Sequence, residues 1–73
     1  METYANVGGD SGVAKFKIEE GCITIGFTSG SFYKYTNNSA GEDHILKMCS
    51  LVREGQGLNE YLKRQTVPHE SNW

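Results

Sequence analysis

The sequence predicts a small α+β domain, in which a three-stranded antiparallel β-meander is followed by one long and one short helix. Apolar and polar residues alternate between residues 13 and 35, as they do in half-buried strands. Apolar residues then recur at helical spacing between residues 45 and 62, and glycines stand at the borders of these segments. These observations indicate the order β-β-β-α-α, with both helices packed on one face of the sheet.

The length and the composition are those of a single domain. The chain has 73 residues, of which 37% are hydrophobic, enough for a thin two-layer core. Both ends are polar, so they offer few apolar residues to tie them to that core. We therefore expect a flexible N-terminal segment at residues 1–12, a single domain at residues 13–65 and a C-terminal tail at residues 66–73.

The charge and the cysteine content narrow the function class. The net charge of −2 argues against a generally basic nucleic-acid-binding protein, although it is compatible with one basic face. Cys22 and Cys49 are too few for the disulfide framework of a small secreted domain, and we expect both as buried or half-buried thiols. Since the sequence shows neither a basic leader nor about 20 consecutive apolar residues, we expect a cytoplasmic protein with no membrane contact.

The first two predicted strands, residues 13–18 and 22–28, pair through a tight turn. A two-residue loop at Glu20-Gly21 places all their apolar residues on one face of the hairpin. The expected pairs are Ile18–Ile23, Phe16–Ile25 and Ala14–Phe27. Lys15 and Lys17 then lie on the opposite face.

The length of the second turn decides which aromatic residues enter the core. A two-residue loop would direct Lys34 inward, whereas a three-residue loop ending at Gly30 directs Tyr33 and Tyr35 inward. We therefore expect Gly30 in a left-handed conformation, Phe32 and Lys34 on the outer side, and the pairs Phe27–Ser31, Ile25–Tyr33 and Ile23–Tyr35.

Two helices follow the strands. Ser39 and Glu42 have the spacing of a capping box, which predicts the start of the long helix. Its apolar stripe consists of Ile45, Met48, Cys49 and Val52. Gly55 is a natural stop, and residues 58–65 form a short second helix. We expect Pro68 to end regular structure.

Three pieces of the chain form a pattern that resembles a known family. They are Ser11-x-Val13-x-x-Phe16-x-Ile18, Ile23-x-Ile25-x-Phe27-x-x-Gly30-x-x-Tyr33-x-Tyr35, and GxGLNxYL at residues 55–62. Over about residues 11–65 the chain is similar to the KTSC domain, a short domain found at the C-terminus of some lysyl-tRNA synthetases and as free-standing small proteins. The family has no established activity to carry over, but its association with a synthetase implies RNA as one expectation.

The sequence lacks the patterns on which catalysis or metal binding depends. The two histidines, His44 and His69, fall in the first turn of the long helix and in the tail. Cys49 follows His44 by five positions and so lies on another helix face, which disfavours both a metal site and a nucleophile–base pair. We therefore predict a protein that is not an enzyme and that binds no metal or cofactor.

The predicted outer sheet face, opposite the helices, is the candidate binding surface. It carries Lys15, Lys17, Phe32 and Lys34 beside Cys22, Thr24, Thr28 and Thr36, and the pattern assigns no acidic residue to it. One interpretation is that lysine and threonine are ordinary solvent-facing strand residues, which also discourage edge pairing. The others are a protein contact centred on Phe32, or a nucleic-acid contact in which lysines meet phosphates and the ring stacks on a base.

We predict a small non-enzymatic binding module. Its first expected activity is protein–protein contact through the outer sheet face or a strand edge, including self-association. The alternative is binding of RNA or single-stranded nucleic acid through Lys15, Lys17, Lys34 and Phe32. Trp73, in the tail, is a further candidate for docking into a partner or a second copy.

Overall fold

The computed structural model describes residues 1–7 and 12–73 and has the predicted α+β class. Its elements are β1 (Glu2–Thr3), β2 (Val13–Glu19), β3 (Cys22–Phe27), β4 (Phe32–Thr36), α1 (Glu42–Glu54), α2 (Leu58–Gln65) and β5 (Ser71–Asn72). The strands form one antiparallel sheet in the order β1-β2-β3-β4-β5. Ser11, which opens the KTSC-like pattern, lies outside the described residues, as do residues 8–10.

The sheet has five strands, so the predicted count of three is too low. The meander β2-β3-β4 is present, and a two-residue strand from each end of the chain extends it. β1 pairs Glu2 with Phe16, and β5 pairs Asn72 with Tyr33. The expectation that regular structure ends at Pro68 is therefore wrong. Strands this short are held by backbone hydrogen bonds and need no apolar alternation.

The first hairpin has the predicted register except at its open end. Ile18 pairs with Ile23 and Phe16 with Ile25, as expected. The predicted Ala14–Phe27 pair is wrong, because the register shifts between Val13 and Lys15 and Val13 takes the place opposite Phe27. This bulge turns the larger side chain of Val13 inward, where it is 1% exposed.

The second turn is the predicted three-residue loop. Gly30 has a φ of +94° and donates its N–H to the carbonyl of Phe27 at 2.9 Å, while the N–H of Phe27 reaches the carbonyl of Ser31 at 2.8 Å. The resulting pairs are Ile25–Tyr33 and Ile23–Tyr35, which confirms the predicted register. Tyr35 is buried in the core, whereas Tyr33 is half-buried.

Helix α1 covers the inner face of the sheet with the predicted stripe, and Ile45, Met48, Cys49 and Val52 are all buried. The predicted capping box is wrong, because the N-cap residue is Gly41 and no side chain caps the helix. Ser39 instead closes a local turn: its hydroxyl accepts the N–H of Thr36 at 3.0 Å, and its own N–H reaches the Thr36 hydroxyl at 3.1 Å. Gly55 ends α1 in a left-handed conformation, as predicted.

The N-terminal residues enter the core, where the sequence predicts a flexible segment. Tyr4 is 2% exposed, and its hydroxyl accepts the N–H of Leu58 at 3.4 Å. Its own N–H donates to the carbonyl of Ala14 at 2.9 Å, and the N–H of Val7 donates to Gly55 at 2.8 Å. Residues 4–7 therefore join the edge of β2 to the junction between the two helices.

We predict that a methyl group at Gly55 is more destabilising than one at Gly30. Both glycines have positive φ, but a Cβ at Gly55 would lie 2.5 Å from the Cβ of Ala5, whereas a Cβ at Gly30 would meet nothing within 4 Å. Gly30→Ala should lower the free energy of unfolding by about 1 kcal/mol through backbone strain alone. Gly55→Ala should lower it by about 2–4 kcal/mol, because it adds overpacking.

Urea denaturation of the two variants measures this difference. Equal losses would mean that the N-terminal residues do not pack on the end of α1.

We also predict that ionisation of the buried Tyr35 side chain destabilises the fold at alkaline pH. Burial, and next the neighbouring Tyr33, raise the pKa of Tyr35 from 10.0 to about 12. The pKa of Tyr35 is higher in the folded than in the unfolded state, so the protonated side chain contributes its full stabilisation below about pH 10. This stabilisation is lost as the pH rises to about 12, by roughly 1.4 kcal/mol per pH unit. Tyr35→Phe should show a shallower decline in unfolding free energy over this window, and parallel curves for the two proteins would contradict the assignment.

Candidate functional site on the outer sheet face

The outer face, which is the side of the sheet opposite the helices, is organised around a glycine. In the sheet register Gly26 of β3 lies between Lys15 of β2 and Phe32 of β4. Because Gly26 has no side chain, its two neighbours meet above it, with the Lys15 Nζ 5.6 Å from the centre of the Phe32 ring. A Cβ at Gly26 would lie 2.9 Å from both the Lys15 Cγ and the Phe32 Cε1. The lysine and the ring thus form a cation–π contact on the surface.

Trp73, which directly follows β5, extends this row beyond β4. The N–H of Phe32 donates to the Trp73 carbonyl at 2.7 Å, and the N–H of Trp73 donates back at 2.9 Å. Their rings are stacked, with centroids 5.8 Å apart and an interplanar angle of 18°. Trp73 remains 62% exposed. The outer face therefore presents a pair of aromatic rings instead of the single ring that the sequence predicts.

A second row carries the other two predicted lysines. Thr24 of β3 pairs with Lys17 on one side and with Lys34 on the other. Although Thr24 faces outward, it is only 7% exposed, as expected when the aliphatic stems of flanking lysines lie along the sheet. The structure thus brings Lys15, Lys17, Phe32 and Lys34, the four predicted site residues, onto one continuous surface.

The prediction that this face bears no acid is wrong. β2 extends one residue beyond its predicted end, and Glu19 pairs with Cys22. Its Oε2 lies 4.0 Å from the Lys17 Nζ, and both side chains are about half exposed, at 49% and 57%, so the ion pair is weak. Glu70, which directly precedes β5, lies beside Lys34 of β4 because its N–H donates to the Lys34 carbonyl at 2.7 Å. The positive charge of the face is therefore partly balanced at one end.

The two cysteines are buried free thiols, as expected. The Cys22 Sγ lies 3.8 Å from the Oε1 of Glu19. Burial, and next the charge of Glu19, raise the pKa of Cys22. Burial also raises the pKa of Cys49. These shifts run opposite to the lowered pKa that activates a nucleophilic cysteine.

The histidines make contacts within the fold. The Nδ1 of His44 lies 2.5 Å from the hydroxyl of Tyr61, which joins α1 to α2. His69 packs edge-on against Tyr33, with ring centroids 4.8 Å apart. Within residues 1–7 and 12–73, no group of three or more histidine, cysteine, aspartate or glutamate side chains is placed to hold a metal ion.

Comparison of the chain with protein-family models, with curated proteins and with solved structures finds no match. Among the described residues, neither helix has the length and apolar character needed to cross a membrane. The outer face, where strand register brings aromatic and cationic side chains together, is the candidate functional site.

We predict that a side chain at Gly26 disrupts the outer face. In Gly26→Ala the new methyl group must displace both Lys15 and Phe32, since each has an atom 2.9 Å from the new Cβ. The free energy of unfolding should fall by about 1–3 kcal/mol through overpacking. The fluorescence of Trp73, the only tryptophan, should change as Phe32 shifts beneath it.

Gly12→Ala is the matched control, because a Cβ there would have its nearest neighbour at 3.9 Å. Native-state emission spectra that are alike for Gly26→Ala, the control and the wild type would show that the rings do not depend on Gly26.

Proposed function

We propose that this protein is a small non-enzymatic binding module that contacts another protein through its outer face. The observation that carries the proposal is the cluster of Lys15, Phe32 and Trp73 around Gly26. Tryptophan is enriched among the residues that dominate binding energy, and here it is held against a second ring before any partner arrives. Such preorganisation reduces the side-chain entropy lost on binding.

The charges of the outer face suggest the chemistry of the partner segment. Lys15 lies against the aromatic pair, and Lys17 and Lys34 form the next row of the sheet. A segment with an apolar or aromatic side chain flanked by carboxylates would place its ring on Trp73 and its acids near these lysines. Exposed charge pairs of this kind contribute more to specificity and association rate than to affinity.

Binding of single-stranded nucleic acid is the second candidate, and the stacked rings favour it. Trp73 offers an open ring face for a base, while Lys15, Lys17 and Lys34 lie within the same two rows and can meet phosphates. Glu19 and the net charge of −2 weigh against it, because both repel a polyanion. We therefore rank it after protein contact.

A relationship to the KTSC domain and a cytoplasmic location belong to the same proposal. The relationship is supported by the FxxGxxYxY piece of the pattern, whose residues form the β3–β4 hairpin with Gly30 at the turn. The absence of an activated thiol is the observation that favours a binding role over catalysis by a cysteine.

Variants of the outer face and of the helices distinguish protein contact from nucleic-acid binding. The face set combines Lys15→Ala, Lys17→Ala and Lys34→Ala in one protein and uses Trp73→Ala as a second. The control replaces Lys47, Arg53 and Lys63 with alanine. These residues are exposed on the helices, and their replacement removes the same positive charge as the face triple variant. Peptides selected from a random display library on the wild-type chain, and labelled oligouridine, are the two probes.

We expect the selected peptides to be acidic and aromatic. Trp73→Ala should weaken their binding by about thirtyfold, or about 2 kcal/mol. The face triple variant should bind them more weakly than the helix control.

If oligouridine binding falls steeply with salt and disappears in the face triple variant, the result would favour nucleic-acid binding over protein contact. If both probes bind the face variants and the helix control equally well, the outer face is not the binding surface.

A further inference from the structure

The last strand of the sheet is held by few contacts. Residues 69–73 are all exposed, and the last buried side chain before them is Val67. The segment is fixed by the pairing of β5 with Tyr33 and Lys34 and by backbone hydrogen bonds from Glu70 and Trp73 to β4. Three ring contacts add to these, one from Trp73 and two from His69. Val67 lies beyond the hinge at Thr66 and must leave the core with this segment. A segment with one buried side chain still opens at a lower free-energy cost than unfolding of the whole domain.

The hinge that leads into β5 is strained. Thr66 ends α2 with a φ of +48°, and its N–H bonds to the carbonyl of Leu62 at 3.1 Å. A left-handed conformation is uncommon for a β-branched residue and is retained only where the surrounding structure imposes it. Here the conformation turns the chain back so that β5 reaches its own β4. Pro68 follows two residues later and biases Val67 towards extended backbone.

We propose that two copies of this chain exchange β5, so that Trp73 of each copy stacks on Phe32 of the other. The edge of β4 already fits this segment, since Phe32 meets Trp73 and Tyr33 meets His69. A second copy supplies the same side chains in the same register and the same core site for Val67, so every contact of the exchanged segment is kept. Thr66 alone changes, because the chain no longer has to turn back at the end of α2 and can relax to an ordinary backbone conformation.

Two opposing terms set the concentration at which exchange occurs. Closure on the chain's own β4 is favoured by an effective concentration of about millimolar for a short linker. Relief of strain at one residue favours the open hinge by about 5-fold to 150-fold. Both hinges of an exchanged dimer relax, so the strain factor enters twice, and the two terms place the dimer dissociation constant between about 40 nM and about 40 µM. Strained short hinges are a recognised route to this kind of dimer.

Exchange is independent of the proposed binding function. The stacked pair of Phe32 and Trp73 is present in both the closed and the exchanged form, and the lysines of the outer face do not move. Failure of the face variants to affect binding therefore leaves this proposal untouched, and a monomer at every concentration leaves the binding proposal untouched.

Variants at Thr66 give the sharpest test. Each protein is unfolded in denaturant and refolded at about one micromolar, within the expected range of dissociation constants, and at about one millimolar, above that range. The products are sized by light scattering. We expect the wild type to contain dimer at the higher concentration. Thr66→Gly and Thr66→Asn, which tolerate positive φ, should lower the dimer association constant at least about 25-fold, because each dimer contains two hinges. Thr66→Val keeps the β-branch and the strain, and should match the wild type.

Isotope labelling identifies the exchanged segment. In a dimer formed from a mixture of ¹⁵N-labelled and ¹³C-labelled chains, we expect nuclear Overhauser effects between the Trp73 ring of one copy and the Phe32 ring of the other. A wild type that stays monomeric at about one millimolar, or a dimer in which these effects arise only within one chain, would overturn the proposal. Equal dimer formation by the Gly, Asn and Val variants would overturn the role of the hinge.

Discussion

The register of the central strand β3 against its two neighbours determines both faces of the sheet. Side chains alternate along a strand, so a slip of one residue would exchange the core for the surface. Gly30, with its φ of +94°, ends the three-residue loop that sets the register of β4. The same pairing that buries Tyr35 directs Phe32 outward, beside Gly26. The hydrophobic core and the candidate binding surface are therefore two results of one alignment.

The ends of the chain complete a core that the meander and α1 would leave partly open. A domain of this size buries only about 60% of the surface exposed by its unfolded chain, so each added buried side chain matters. Tyr4 fills the space between β2 and the start of α2, and Val67, two residues after the end of that helix, also belongs to the core cluster. The backbone of β1 and β5 also covers part of each outer edge of the meander, which limits unwanted strand pairing.

Most of the fold could be predicted because its signals are periodic. Alternation located β2 to β4, and helical spacing located α1 and α2. The two edge strands carry no such signal, since two residues have no period. Tyr4 is a single aromatic residue in a polar stretch, and only tertiary packing shows that it is buried. The capping box failed because Thr36 and Ser39 bond to each other, a local competition that spacing alone does not reveal.

The candidate site was predictable to the extent that it depends on strand register. Lys15, Lys17, Phe32 and Lys34 follow directly from alternation. Trp73 reaches them only through β5, and Glu19 only through one extra residue at the end of β2. The sequence therefore indicated the cationic half of the surface and missed most of its aromatic area and its acid.

The bare backbone at Gly26 also has a consequence for how such a sequence can diverge. Lys15 and Phe32 occupy the space that a side chain at this position would take. A larger residue there fits without displacing its neighbours only if both neighbouring positions acquire shorter side chains. Three positions that are 11 and 6 residues apart along the chain, at 15, 26 and 32, are thus linked as a single unit of variation.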